Sequence, residues 1–241
     1  MGYKAICFDI DGTLYPPKTM HRRLLRLYIR HPFYSSRYNK ERAEFRKYQD
    51  SFKQDTPLRW REAMIIRNGI GKEPEAPFSD EEYRGEYREL HRRFYDPMGR
   101  MYRKTVPFEG VRQTFEKIKA KGLKIGVFTD WPLYSKLQSL GLADLVDFAC
   151  SSDDAGFLKP DTHCFEYLLY NLNVRPEDAL YVGDSYKKDV AGAAGAGMDG
   201  VLVNVRRSDL ADSGSKYPLA KAVFSDWKDF DAWLCAGMED D

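Results

Sequence analysis

Two aspartates one residue apart, Asp9 and Asp11, close the apolar run Ala5-Ile6-Cys7-Phe8 and are followed at once by Gly12-Thr13-Leu14. A short apolar run of this kind reads as a buried strand, and a pair of carboxylates at its mouth is costly to place near a core. A sequence sustains such a pair where a metal ion or an ammonium stands between the charges. Open parallel sheets hold their ligands outside the carboxyl ends of their strands. The opening residues therefore predict an α/β fold with its chemistry at one sheet edge.

The second half of the chain carries the rest of such a sheet. Residues 124–129, 148–151, 179–183 and 201–204 read as short apolar strands, and residues 109–121, 133–140, 161–172 and 186–196 as the helices between them. Strands alternating with helices predict a parallel, doubly wound sheet. The first strand, residues 4–8, belongs to this sheet but is separated from it by residues 15–105. That insert has 22 Lys and Arg against 13 Asp and Glu, an excess of nine positive charges inside a chain whose totals are 38 and 37. Its apolar residues recur at helical spacing: Leu24, Leu25, Tyr28 and Ile29; Phe45, Tyr48 and Phe52; Trp60, Met64 and Ile65. Pro16-Pro17, Pro57, Pro74 and Pro77 punctuate it. The organisation expected is a core of residues 1–14 and 106–241 with an inserted all-helical cap, residues 15–105, hinged near 14–17 and 103–107.

Composition narrows the setting. At 241 residues the chain can bury about 70% of its unfolded surface. Its four cysteines show no CxxC spacing and read as core residues in a reducing, cytoplasmic compartment. No apolar run reaches membrane-spanning length, and no signal-peptide pattern precedes Asp9. The four histidines lack metal-ligand spacing. The stretch Gly192-Ala193-Ala194-Gly195-Ala196-Gly197 has the wrong glycine order for a dinucleotide site. It reads instead as a helix of small residues lying close on the sheet and ended by Gly197. Residues 237–241 are expected as a frayed tail.

Four polar clusters fall at predicted strand ends: Asp9 with Asp11; Thr129-Asp130; Lys159-Pro160; and Gly183-Asp184-Ser185, with Asp189 five residues past Asp184. Taken singly, each has an ordinary account. Asp-Gly makes turns, a strand-end Thr bonds to backbone, and a lysine or aspartate at a helix start faces water. With parallel strands, however, all four lie along one edge.

In kind, order and spacing, Asp9-Ile10-Asp11-Gly12-Thr13-Leu14, Thr129, Lys159-Pro160-Asp161 and Gly183-Asp184 with Asp189 resemble the four signatures of the haloacid-dehalogenase-like hydrolase superfamily. The resemblance covers residues 1–14 and 106–225. It implies a Rossmann-like core, and the position of the insert resembles that of the family's helical C1 cap. The short gap between Phe148 and Lys159 leaves no room for the alternative cap there.

A phosphate dianion approaching several carboxylates needs a divalent cation and a lysine, since each charge pair at ~4 Å is worth about 4 kcal/mol at an effective dielectric of ~20. Oxygen-only ligands and a phosphorylated substrate favour Mg²⁺. By resemblance, Asp9, the backbone carbonyl of Asp11 and Asp184 bind it, with Asp189 in its outer shell or holding Lys159. Asp9 is then the nucleophile that forms an aspartyl-phosphate, and Asp11 protonates the leaving alcohol and later activates water. Thr129, the amides around Gly12 and Asp130, and Lys159 bind and neutralise the phosphoryl group. Superfamily members that displace halide resemble this pattern without the second aspartate, so Asp11 favours phosphoryl transfer.

The expected function is a cytoplasmic, Mg²⁺-dependent phosphatase acting on a small phosphorylated metabolite such as a sugar phosphate or nucleotide. No membrane partner or nucleic acid is expected. A phosphomutase or phosphotransferase of the same superfamily is the alternative. A binding module using the basic cap, on which Arg22, Arg23, Arg26 and Arg30 recur near one side, is the alternative from another class.

The chain departs from the family pattern at Asp130-Trp131-Pro132. Asp130 is expected either to add negative charge near the phosphate or to cap a helix. Trp131 is expected as a pocket wall and Pro132 in the first turn of a helix. Tyr15 is the cap residue expected nearest the substrate.

Overall fold

The computed structural model describes residues 2–49, 58, 80–103, 105–133 and 135–239. Six strands form one parallel sheet in the order β3-β2-β1-β4-β5-β6: β1 Ala5–Phe8, β2 Lys124–Thr129, β3 Phe148–Ser151, β4 Ala179–Gly183, β5 Asp199–Leu202 and β6 Ala220–Val223. β1 is central, paired with β2 on one side and β4 on the other. The chain winds outward from β1 through β2 to β3, then returns to β1's other flank with β4. The sheet therefore reverses its winding at the β1–β4 border, where a crevice opens beyond the strand ends.

Strand alternation explains why both faces are covered. Ile6 and Phe8 point to one face, where they meet Phe115, Ile118, Trp227, Phe230 and Leu234. Ala5 and Cys7 point to the other, with Phe165, Leu168, Leu172 and Tyr181. Phe8 stacks on Phe115 with ring centroids 4.7 Å apart and lies edge-on to Phe230 at 6.4 Å. A strand buried on both faces has no use for polar alternation, which is why β1 reads as an unbroken apolar run.

The described part of the insert is helical. Helix α1 spans Pro17–Arg30 and α2 spans Pro32–Tyr48, each opened by a proline whose missing N–H costs nothing in a first turn. Helix α3, Asp80–Leu90, passes through a wide turn at His91–Tyr95 into α4, Asp96–Tyr102. Pro97 follows that wide turn, where the helical ladder is already loosened. Leu27, Leu90, Tyr95, Met98 and Tyr102 are buried in the same cluster as Phe8 and Phe115, so these helices and the sheet share a core. The periodicity at Phe52, Trp60, Met64 and Ile65, and the side chains of Arg22, Arg23, Phe45 and Tyr48, lie outside the described residues. No helix among the described residues is long and apolar enough to cross a membrane.

Four local expectations change. The strand read at residues 201–204 begins at Asp199 and ends at Leu202, because Asn204 turns the chain with φ of 61°. The helix expected over residues 133–140 is Lys136–Ser139, and Pro132 precedes it instead of opening it. The sixth strand, β6, had no counterpart in the sequence reading. Residues 237–239 of the expected tail are instead the end of the helix Trp227–Glu239, held by the buried stripe Trp227, Phe230, Leu234 and Met238, while 240 and 241 lie outside the described residues.

Gly183 ends β4 where the next helical turn folds back. A Cβ there would lie 2.3 Å from both Cβ and Cγ of Asp189. Gly183→Ala is therefore expected to lower stability by about 1–3 kcal/mol, measured by urea unfolding.

Candidate active site

Asp9 leaves the end of β1 with its amide still donating to the Val182 carbonyl of β4 at 2.9 Å. This fixes the carboxylate at the point where the sheet reverses. Beyond it the chain turns sharply through Gly12, whose φ is 100° and whose missing Cβ leaves room for Asp184; an added one would stand 2.1 Å from Asp184 Oδ2. Asn204, just past the end of β5, braces this turn, donating through Nδ2 to the carbonyl of Gly12 at 2.8 Å and, at 3.3 Å, to that of Thr13.

Lys159 reaches the same point from the loop after β3. It is 1% exposed, and its ammonium donates to Asp9 Oδ1 at 2.8 Å, Asp189 Oδ1 at 2.6 Å and the Tyr181 hydroxyl at 3.1 Å. Three partners match the three N–H bonds of an ammonium. Asp189 is fixed in turn by the Ser185 amide at 2.9 Å. Asp9 Oδ2 accepts from the Thr13 hydroxyl at 3.1 Å. Burial pushes the Lys159 pKa down, but Asp189 and Asp9 outweigh it and hold the side chain firmly protonated.

One ammonium does not balance the acids around it. Carboxylate oxygens of Asp9, Asp184 and Asp189 lie within 4.8 Å of one another. Burial raises the Asp9 pKa, Lys159 draws it down, and Asp189, Asp184 and Asp11 push it up again, leaving it at about 8. Burial and Asp189 raise Asp184 to about 6 against the pull of Lys159 and Lys188. This surplus of negative charge, built from oxygen donors alone, fits a hard divalent cation.

Asp11 occupies the opposite side of the site in a different environment. Its Oδ2 accepts from Thr129 Oγ1 at 2.8 Å and from Lys136 Nζ at 2.6 Å, while Oδ1 accepts from the Tyr15 hydroxyl. Burial alone would raise its pKa, but Lys136, Tyr15 and Thr129 together lower it below the usual carboxylate value. Lys136 is itself 1% exposed, and its ammonium lies 4.1 Å from the centroid of the Tyr102 ring.

The Asp130 carboxylate caps no helix among the described residues and is bound instead by the loops and the helix around it. Its Oδ1 accepts from the Lys159 amide at 3.0 Å and Ser152 Oγ at 3.1 Å, and its Oδ2 pairs with Arg46 Nη2 of α2 at 2.8 Å. Burial opposes ionisation here, yet Arg46, Lys159 and Arg42 hold the carboxyl well below the ordinary range. Arg42 donates to the Asp130 carbonyl at 2.6 Å, with its guanidinium carbon 4.3 Å from the Trp131 ring centroid. Arg46 Nε also donates to the Lys159 carbonyl at 3.2 Å. Gln49 exchanges two bonds with the backbone of Leu158, at 2.9 and 2.8 Å. The loops carrying Asp130 and Lys159 are thus gripped by one face of α2.

The structure brings together Asp9, Asp11, Gly12, Thr129, Lys159, Asp184 and Asp189, and binds the Asp130 carboxylate to Arg46, Ser152 and the Lys159 amide. Sequence reasoning missed Lys136, Tyr181, Asn204 and the α2 trio. Lys136 carried one signal: it stands three residues after Leu133 and four before Leu140, so it puts a charge on an apolar helical face.

The profile of the haloacid dehalogenase-like hydrolase family matches residues 3–197. A glyceraldehyde 3-phosphate phosphatase from Methanopyrus kandleri is 28% identical over 214 residues, covering 87% of this chain and 86% of that protein. The protein of the same name from Methanothermobacter thermautotrophicus is 35% identical over 101 residues, 41% of this chain and 45% of that one. A ribulose-1,5-bisphosphate 5-phosphatase from Halopiger xanaduensis is 32% identical over 109 residues, 44% and 46% of the two chains. In the latter two the match spans less than half of the relative's length. Among solved structures, the putative HAD-hydrolase YfnB from Bacillus subtilis superposes with a TM-score of 0.61 at 16% identity, covering 96% of this chain and 98% of that one. At that identity the likeness concerns the fold.

The raised acids set a pH dependence. An aspartate whose folded pKa lies above its unfolded 3.8 binds more protons when folded, so its contribution to stability is lost as pH rises toward the folded value. For Asp184 that loss runs from about 4 to about 6, and for Asp9 to about 8. Asp184→Asn is therefore expected to leave the melting temperature nearly unchanged at pH 4 and to raise it by a few degrees at pH 8, measured in chelator by calorimetry.

Proposed function

We propose that this chain, which belongs to the haloacid dehalogenase-like hydrolase family, is a phosphatase that hydrolyses a small phosphorylated metabolite. The observation that carries the reading is the convergence of Asp9, Lys159 and Asp184 at the reversal point of the sheet, with Asp11 and Thr129 across from them. Relatives named as phosphatases of glyceraldehyde 3-phosphate and ribulose bisphosphate favour short sugar phosphates as substrates.

Asp9 is the nucleophile of this reading. Its carboxylate attacks phosphorus, the bond to the leaving oxygen breaks, and an aspartyl-phosphate forms. Lys159 keeps Asp9 in place and neutralises charge on it and on the transferring group. The amides near Gly12 and Asp130 supply donors to the phosphoryl oxygens, while the Thr129 hydroxyl, whose one hydrogen goes to Asp11, helps set that carboxylate. Asp11, ionised between Lys136, Tyr15 and Thr129, takes up a proton from solvent as the phosphate dianion enters beside it, gives that proton to the departing alcohol, and regains one from the water that cleaves the intermediate.

Asp9, Asp184 and the carbonyl of Asp11 are the groups that would hold Mg²⁺, since both carboxylate oxygens of Asp11 are engaged by Tyr15, Thr129 and Lys136. When bound, the ion offsets the surplus charge of the acids and of the incoming dianion. Asp189 is assigned to holding Lys159.

Asp9→Asn is expected to reduce phosphate release from glyceraldehyde 3-phosphate by at least roughly a thousandfold without lowering the melting temperature. Near-native turnover in that variant would sink the mechanism. The reaction is also expected to stop in chelator and return with Mg²⁺. An isomeric phosphate ester in place of free phosphate would identify a mutase.

A further inference from the structure

Among the described residues the site holds two buried ammonium groups, and they serve different acids. Lys159 is committed to Asp9 and Asp189, the nucleophile's side. Lys136 is committed to Asp11 and Thr129, at 2.6 and 3.3 Å. The donors around Asp11 come from three separate segments: Tyr15 from the first crossing into the helical insert, Thr129 from the end of β2 and Lys136 from the helix after it. Tyr102, whose ring Lys136 overlies, ends α4 just before the chain crosses back. Asp11 itself stands beside Gly12, a position with no side chain to stiffen it. Its carboxylate is oriented by Tyr15, four residues on, and from outside its own loop by Thr129 and Lys136.

We propose that Lys136 is a positioning residue for the leaving-group half of the reaction: it holds the Asp11 carboxylate in register with Thr129 and Tyr15, and takes no part in nucleophilic attack by Asp9. Lys136 touches Asp11 and Thr129, whereas every ammonium contact to Asp9 is made by Lys159 among the described residues. This rests on the phosphatase reading, through the role given there to Asp11. Where the leaving group needs a proton, misplacing Asp11 is costly. Where it departs readily as an anion, misplacement matters far less.

The test compares Lys136→Met with the wild type on p-nitrophenyl phosphate, which releases a stable phenolate, and on glyceraldehyde 3-phosphate, which releases an alkoxide. The loss in kcat is expected to be at least roughly tenfold greater for the alkyl ester, with KM changed by less than about threefold. Lys136→Arg, which keeps the charge, is expected to recover part of the alkyl activity. Lys136→Gln is read by the same ratio between substrates, so a methionine variant that fails to fold leaves the question answerable. Equal losses on both esters at an unchanged melting temperature would overturn the inference. So would a loss confined to KM, which would mean that Lys136 binds substrate directly. A wild type that releases phosphate from neither ester would overturn the phosphatase reading and this inference with it.

Discussion

Everything at this sheet edge depends on one ammonium shared by two carboxylates. Lys159 sits in the interior between Asp9 and Asp189, with the Tyr181 hydroxyl as its third acceptor. A lone buried lysine would shed its proton, and a lone pair of buried aspartates would take one up. Together they offset one another: the ammonium stays protonated, and it draws the Asp9 carboxyl back toward ionisation against the push of burial. That mutual dependence ties β1, the loop after β3 and the turn after β4 into a single unit. The backbone cooperates: Gly183 makes room for Asp189, and Gly12 makes room for Asp184.

Around that unit the charges are sorted by task. The acids on the Lys159 side exceed the positive charge available to them, which leaves Asp9 and Asp184 with raised pKa values. Asp11, a few ångströms of chain away, is more than compensated and lies below its ordinary value. Two carboxylates separated by one residue thus sit in opposite electrostatic surroundings. A cation held among Asp9, Asp184 and Asp189 would offset the surplus on the Lys159 side and return Asp9 to its ionised form.

Much of this was legible in the sequence, and the reason is local. Ala5–Phe8, Lys124–Thr129 and Ala179–Gly183 are buried on nearly every residue, so their apolar runs announce strands. Each is followed by its polar site residue, and parallel pairing then places Asp9, Thr129, Lys159 and Asp184 on one edge without further information. The contacts that escaped the sequence are those made across elements. Nothing local says that Lys136 turns inward to Asp11, that Asn204 braces the turn at Gly12, or that Asp130 pairs with Arg46. Edge strand β6 escaped for a related reason: Ala220–Val223 is partly exposed and pairs through an irregular register, so its pattern is faint.

The grip of α2 on the loops below it couples the helical insert to the sheet edge. Arg42, Arg46 and Gln49 follow one another at helical spacing and seize mainly backbone atoms and the Asp130 carboxylate. Contacts made to backbone atoms do not depend on the side chains those loops carry, so the loops can vary in sequence while the anchorage persists. The same anchorage ends on the amide and carbonyl that flank the Lys159 side chain. A displacement of α2 is therefore felt at the seat of that ammonium, which ties the placing of Lys159 to the placing of the helix above it.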